Sequence, residues 1–210
     1  MILLELNNIV KNFGSKPVLE NLSLQIEEGK IYAITGKSGC GKSTLLNIMG
    51  GIEKATSGNV EILGNKNLSP RSQKVRKLLR HQISYLFQNY ALSDNDTVEY
   101  NLKMALVYHK EIKDKKRAIA EALIKVGLKG YEKQKVHTLS GGEQQRVAIA
   151  RLLLKPTKII LADEPTGNLD IENRNAIFDL LLDLNKAEKT IVLVTHDLEL
   201  AGKCDIVIKI

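Results

Sequence analysis

The first third of the chain alternates apolar and polar residues in three runs. These runs cover residues 2–10, 18–27 and 58–63, and turn residues around Gly14 and Pro17 separate the first two. A period of two places every second side chain on the same face, which is typical of strands with one buried face. The pattern predicts an antiparallel sheet in this part of the chain.

Later apolar runs alternate with helical segments. Predicted strands cover residues 31–35, 83–87, 158–163, 190–195 and 205–210, and predicted helices cover residues 172–186 and 197–203. In the last third the strands are apolar on both faces, which is typical of a parallel sheet covered by helices on both sides. Ligands of such sheets bind at the carboxyl ends of the strands.

Helical patterns dominate the middle of the chain. Asp96 and Glu99 have the spacing of a capping box for a helix over residues 98–108, and a lysine-rich amphipathic helix is predicted over residues 113–126. The pattern therefore predicts a helical insertion from about residue 89 to 155, which divides two β-rich parts of one compact unit.

A glycine-rich segment follows the strand at residues 31–35 and precedes a helical pattern. It consists of Gly36, Lys37, Ser38, Gly39, Cys40, Gly41, Lys42, Ser43 and Thr44, and fits G-x-x-x-x-G-K-[ST]. The glycines let the backbone curl so that successive N–H groups point at a phosphate anion. Lys42 is then expected to reach the β- and γ-phosphates and Ser43 a Mg²⁺ ion. The alternative is an ordinary turn that caps a helix.

Two carboxylates, Asp163 and Glu164, stand at the carboxyl end of the apolar strand at residues 158–163. Next to a phosphate loop, Asp163 is expected to hold Mg²⁺, and Glu164 to position and deprotonate a water molecule for hydrolysis. The alternative is a pair of surface carboxylates at a strand end.

A second glycine segment, at Ser140, Gly141 and Gly142, precedes another helical pattern. Ser140 and Glu143 have capping-box spacing, which predicts a helix N-terminus. Backbone N–H groups at such an end also bind anions, and the two roles are compatible.

The 210 residues carry a net charge of +7 that is unevenly distributed. Residues 65–82 contain six basic residues and no acidic one. Three interpretations stay open: a solvated face, a surface for a membrane or a partner, and nucleic-acid binding, for which interleaved aromatic residues are missing.

The composition predicts a cytoplasmic protein. Hydrophobic residues make up 43% of the chain, enough for a core, but no run approaches the roughly 18 apolar residues of a membrane span, and the first residues lack signal-peptide features. Cys40 and Cys204 have no metal-ligand spacing and are expected to be free thiols.

Over nearly its whole length the chain resembles the ATP-binding-cassette ATPases. The shared order is the phosphate loop, Gln88, Leu139-Ser140-Gly141-Gly142, Asp163-Glu164, Asn168-Leu169-Asp170 and His196. The resemblance implies a P-loop NTPase (RecA-like) α/β core with an N-terminal antiparallel β subdomain and an inserted α-helical subdomain. The core is expected in residues 1–88 and 156–210.

The resemblance also implies a site for ATP and Mg²⁺ that two copies of the chain share head to tail. Each ATP would lie between the phosphate loop of one copy and the Ser140-Gly141-Gly142 segment of the other. Phe13 would stack on adenine, although a core phenylalanine is the simpler interpretation of its sequence position. Gln88 would link Mg²⁺ and the attacking water to the helical lobe, His196 would contact the γ-phosphate, and Asp170 would cross the dimer interface.

The chain departs from the family pattern at two points. Glu143 stands where glutamine is commonest, and ATP binding is expected to survive because many relatives carry glutamate there. Relatives usually continue beyond the position of Ile210 into a glycine-containing hairpin, which leaves the pairing of the last strand open.

The motifs resemble most closely the lipoprotein-release, macrolide-export and antimicrobial-peptide-export branch. This branch implies a separate membrane permease, a peptide, lipid or drug-like substrate, and a peripheral position on the inner face of the plasma membrane. Tyr90 and Leu92 are predicted to line a groove for a short permease helix. A regulator without transport, resembling cell-division relatives, is the alternative, and nucleic-acid binding is not expected.

Overall fold

The computed structural model describes residues 1–109, 111–167 and 169–210, so Asn168 of the predicted motif lies outside the described residues. A four-stranded antiparallel sheet has the order β2-β1-β4-β5. Its strands are β1 (Ile2–Phe13), β2 (Lys16–Glu27), β4 (Ser57–Ile62) and β5 (Asn65–Lys66). The predicted antiparallel sheet is confirmed, and Gly14, in the turn between β1 and β2, has the left-handed φ of 60° that glycine adopts without steric cost.

A five-stranded parallel sheet has the order β6-β7-β8-β3-β9. Its strands are β3 (Ile31–Thr35), β6 (Ile83–Leu86), β7 (Ile159–Asp163), β8 (Thr190–Val194) and β9 (Ile206–Lys209). The last strand pairs in parallel with β3, where Tyr32 lies opposite Ile206, which settles the pairing that the sequence left open. Because all five strands run in one direction, their carboxyl ends form a single edge.

The helices are α1 (Lys42–Met49), α2 (Gln73–His81), α3 (Val98–Ala105), α4 (Lys115–Lys125), α5 (Gly141–Leu153), α6 (Ile171–Lys186) and α7 (Leu198–Ala201). Helices α3, α4 and α5 occur between β6 and β7, as the predicted insertion requires. The described residues include no helix that is both long and apolar enough to cross a membrane.

Two expectations about the helices were wrong. The predicted capping box at Asp96 does not form, because Thr97 is the N-cap of α3 and its hydroxyl accepts a hydrogen bond from the Tyr100 N–H at 3.2 Å. The helix also ends at Ala105, three residues before the predicted end at 108. Helix α2 was not predicted, since its basic sequence offers only Val75, Leu78 and Leu79 as apolar positions.

The parallel sheet divides the interior into two hydrophobic cores. In β8, Ile191 and Leu193 pack on the side of α3 to α6, whereas Val192 and Val194 pack on the side of α1 and the antiparallel sheet. Successive side chains of a strand point to opposite faces, so a strand between two cores must be apolar throughout. The sheet therefore holds its carboxyl edge rigidly between two packed layers.

Candidate functional site

The phosphate loop (residues 36–44) leaves β3 and enters α1 at the edge of the parallel sheet. Gly39 and Gly41 have φ of 76° and 101°, and a Cβ on Gly41 would lie 2.8 Å from the Val18 side chain. Both conformation and space therefore require glycine at position 41. Gly41 is also the N-cap of α1, and no side chain caps this helix end, which leaves its first N–H groups free to bind an anion.

Lys42 brings a positive charge into this loop. Its side chain is buried, and Nζ donates hydrogen bonds to the carbonyl oxygens of Gly36 and Lys37, both at 3.0 Å. The ammonium group therefore lies inside the curl of the loop.

Ser43 and Asp163 meet although 120 residues separate them in the sequence. The Ser43 hydroxyl donates a hydrogen bond to Asp163 Oδ1 at 3.0 Å, which joins the start of α1 to the end of β7. A hydroxyl and a carboxylate are oxygen ligands of the kind that Mg²⁺ prefers. The described residues contain no cluster of three His, Cys, Asp or Glu side chains suited to a metal. This sparse set fits Mg²⁺, which keeps several of its waters and takes phosphate oxygens as further ligands.

Glu164 directly follows β7 and has an unusual backbone. Its φ is 45°, a left-handed conformation that costs a non-glycine residue about 1 kcal/mol or more. The Glu164 N–H donates to the Val194 carbonyl at 3.0 Å, which ties the residue to the end of β8. The Glu164 Oε2 atom lies 2.8 Å from Nδ1 of His196. The predicted base is therefore in contact with the histidine that is predicted to reach the γ-phosphate.

Lys42, Ser43, Glu164 and His196 line one cleft of about 500 Å³ at the carboxyl edge of the sheet, and Asp163 adjoins it through its hydrogen bond with Ser43. The cleft is lined by Phe13, Val18, Ser38, Gly39, Gly41, Lys42, Ser43, Thr44, Gln88, Glu164, Gly167, Val194 and His196. Phe13 is half exposed at the end of β1, which offers a ring face to a base and argues against the core position that sequence alone favours. A loop of free N–H groups, one buried cation and one aromatic ring together fit a nucleoside triphosphate.

Ser140, Gly141, Gly142 and Asp170 do not line this cleft. Asp170 and Gly142 lie beside Asn173 of α6 instead: the Asn173 N–H donates to Asp170 at 2.8 Å, and Arg146 donates to the Asn173 side-chain oxygen at 3.0 Å. A Cβ on Gly142 would lie 2.8 Å from the same oxygen. The two predicted halves of the site are therefore separate within one chain.

The capping box at the start of α5 is confirmed. The Ser140 hydroxyl accepts from the Glu143 N–H at 3.3 Å, and Glu143 accepts from the Ser140 N–H at 2.8 Å. Tyr131 also donates to Glu143 at 2.9 Å. The hydrogen bond from the Ser140 backbone is the main reason why the pKa of Glu143 is lower than usual.

One contact that the sequence did not suggest concerns the segment after Gln88. Tyr90 and Ala91 both have left-handed φ, of 61° and 48°. Arg151 of α5 donates to their carbonyl oxygens at 2.9 and 2.6 Å. Because the partners are backbone atoms 60 and 61 positions away, no sequence motif predicts this link between α5 and the segment after Gln88.

The fold and this cleft define a P-loop nucleoside triphosphatase. Comparison with known proteins narrows the class, since the profile of the family described as ABC transporter matches residues 19–167. The chain therefore belongs to the ABC transporter family and is an ATPase cassette of that family.

Two relatives and one solved protein are similar over nearly the whole chain. The macrolide export ATP-binding/permease protein MacB of Mannheimia succiniciproducens is 39% identical over 100% of this chain, which spans only 33% of MacB. The uncharacterized ABC transporter ATP-binding protein YvrO of Bacillus subtilis is 39% identical over 97% of this chain and 91% of its own length.

The solved protein is MJ0796, a bacterial ABC transporter cassette, whose dimeric structure superimposes with a TM-score of 0.88. It is 36% identical and covers 99% of this chain and 94% of its own. A second dimeric structure of MJ0796, in a post-hydrolysis state bound to ADP and Pi, gives a TM-score of 0.87 at 35% identity, with the same coverage of both chains.

Proposed function

We propose that this chain hydrolyses ATP to drive a bacterial exporter through a separate membrane permease. The observation that carries the proposal is the cleft that the phosphate loop shares with Glu164, beside the Ser43–Asp163 contact. The similarity to a macrolide export protein supports export of a drug-like, peptide or lipid substrate, and transport assays in vesicles with the permease test the substrate class.

In the proposed reaction each part of the cleft has one task. The N–H groups of the loop and Lys42 bind the phosphates, Phe13 stacks on the base, and Ser43, Gln88 and Asp163 hold Mg²⁺. Mg²⁺ supplies positive charge that neutralises the phosphate oxygens. Glu164 accepts a proton from the attacking water, and its contact with His196 fixes the direction of its carboxylate.

Glu164→Gln tests this assignment because it keeps the shape of the side chain and removes the base. We expect ATP hydrolysis to fall by about 100-fold or more while ATP binding is retained, so that dimers accumulate with ATP in size exclusion chromatography. Glu188→Gln is the matched control, since Glu188 is an exposed glutamate with a left-handed φ of 63°. Hydrolysis by Glu164→Gln at the rate of the native chain would contradict the role of Glu164.

A second copy of the chain is proposed to complete each site. The separation of residues 140–142 from the cleft supports this, because both segments can touch one ATP only across two chains. The dimeric structures of MJ0796 support a dimer of this chain. ATPase activity should then rise more steeply than linearly with protein concentration.

The permease is proposed to dock in a cleft of about 370 Å³ between α2, β6 and α3. Ala91 lines this cleft, whereas Tyr90 and Leu92 pack against the core. The proposed docking cleft is therefore lined by other residues than the two expected from the sequence. Apolar side chains such as Met104 and Tyr108 favour a short helix as the occupant. Docking would hold the chain on the inner face of the plasma membrane, and cross-linking from position 104 to a membrane protein tests it.

A further inference from the structure

Helix α2 turns a basic face outward. Val75 and Leu78 are buried beneath it, and the Ser72 hydroxyl caps its N-terminus by accepting from the Val75 N–H at 3.3 Å. The exposed basic side chains on the rest of the helix are Lys74, Arg76, Lys77 and Arg80, and Arg71 precedes them. The interior thus fixes the helix in an orientation that presents these charges to the surroundings.

These cations are not neutralised by the protein. Among the ion pairs of residues 1–109, 111–167 and 169–210, none involves Arg71 or a basic residue of α2. Helix α4 is also rich in basic residues, but there Arg117 pairs with Glu121 at 2.8 Å. A solvated surface helix usually mixes charges of both signs, as α4 does. The face of α2 therefore carries a positive charge that no carboxylate of the described residues compensates.

Exposed apolar and aromatic side chains border this face. Ile52 is 41% exposed and lines a surface cavity together with Arg71 and Arg76. The guanidinium group of Arg80 lies 4.2 Å from the ring centroid of Tyr108, which is 49% exposed. Basic residues beside exposed aromatic and aliphatic groups are typical of surfaces that lie at a membrane interface.

We propose that the outer face of α2, with Arg71, binds the anionic lipid headgroups of the membrane next to the permease. The face adjoins the cleft proposed for the permease helix, since Leu79 and Arg80 line that cleft. The inference rests on the proposed function in one respect: the permease in the neighbouring cleft would bring α2 close to the membrane. Charge complementarity favours lipid phosphates, because no aromatic residue lies between the basic residues of α2 to stack on nucleic-acid bases.

Lipid binding by this face should be weak alone and sensitive to salt. Each basic residue near an anionic surface contributes about 1 kcal/mol, and the attraction is screened within about 8 Å at physiological ionic strength. Loss of two such residues should lower vesicle binding by about 30-fold, by the relation of tenfold per 1.4 kcal/mol. The face would then assist the permease contact and orient the cassette against the bilayer.

Co-sedimentation of the whole chain with protein-free vesicles tests the proposal. One set of vesicles contains phosphatidylglycerol mixed with phosphatidylcholine, and the other contains phosphatidylcholine alone. The variant is Lys74→Gln with Lys77→Gln, and the control is Lys115→Gln with Lys116→Gln, which removes the same charge from exposed positions at the start of α4. Neither pair lies in the nucleotide cleft, so ATPase activity reports correct folding.

The expected result is binding to the anionic vesicles alone, lost on adding salt, weakened by the α2 variant and retained by the α4 control. Equal weakening by both variants would show that only net charge matters and would overturn the proposal. Binding that needs a permease in the vesicles would identify an acidic protein surface instead and would equally overturn it. Because the permease is absent from the main assay, failure here leaves the proposed ATPase function standing.

Discussion

Two helix N-termini of this chain are predicted to bind ATP, each at a different one of the two sites in the proposed dimer, yet they are built in opposite ways. Helix α1 begins at Gly41, without a side chain that caps its N–H groups. Helix α5 has Ser140 as its N-cap. In the capping box, the Ser140 hydroxyl accepts from the Glu143 N–H, and the Glu143 carboxylate accepts from the Ser140 N–H. An anion can bind directly at the first end, whereas at the second it meets a carboxylate that is already there.

The difference teaches that one helix end is built for binding and the other for shape. Free N–H groups at α1 can donate to a phosphate without first being released from a capping side chain. At α5 the box fixes the backbone of Gly141 and Gly142 before any partner arrives, at the cost of a negative charge near the anion. The first end should dominate binding of ATP by one chain, and the second should act only across the proposed dimer.

Lys42→Ala should give the largest effect on this comparison. Loss of charge-assisted hydrogen bonds to phosphate should weaken ATP binding by about 10- to 100-fold, as measured with a fluorescent ATP analogue. Lys209→Ala, on the neighbouring strand β9, is the control and should bind normally. Tight binding by Lys42→Ala would contradict the role of the Lys42 charge and leave the free N–H groups of α1 to account for the affinity.

Ser140→Arg should abolish hydrolysis and leave ATP affinity of the single chain almost unchanged, because the residue lies outside the cleft. The substitution also removes an N-cap, which costs about 1 kcal/mol of stability. Thr97→Arg removes the N-cap of α3 and is the matched control for that loss. The role across chains would be refuted by a parallel fall of binding and hydrolysis in Ser140→Arg.

Glu143→Gln should give the smallest effect, a rise of hydrolysis by a few fold, because it removes the negative charge and keeps a hydrogen-bond acceptor.

The stability of the chain should also depend on pH through Glu143, because its pKa is lower in the folded state than the ordinary value of 4.5. Ionised Glu143 therefore stabilises the fold at pH values above 4.5, and this stabilisation disappears as the pH falls through the lowered pKa. The native chain should therefore have a higher melting temperature than Glu143→Gln at pH 7, and this difference should vanish in acid. A difference that persists in acid would point to packing instead of charge.

The carboxyl edge of the parallel sheet could be predicted from the sequence almost completely. Asp163 and the phosphate loop both follow apolar strands, and parallel strands must end at the same edge, so their contact through Ser43 follows from topology. The capping box at Ser140 is a local pattern and was equally readable. Local and topological rules were enough at both places.

Contacts that depend on packing between distant segments could not be predicted. Arg151 donates to the backbone carbonyl oxygens of Tyr90 and Ala91. Every residue type has such an oxygen, so the residue types at these positions do not indicate the contact. The existence of α2 depended on two buried residues within a basic run, a signal too sparse for periodicity to detect. The start of α3 depended on which of two adjacent polar residues, Asp96 or Thr97, adopts the cap geometry.

The left-handed backbone of Glu164 has a consequence for how this sequence can evolve. Glycine would relieve the strain at that position and would also remove the proposed base, so stability and turnover are opposed at a single codon. In a library of variants selected for heat resistance alone, we expect glycine or asparagine to replace Glu164 early, whereas selection for turnover should retain glutamate. A strained residue of this kind marks a position where selection for turnover outweighs selection for stability of the fold.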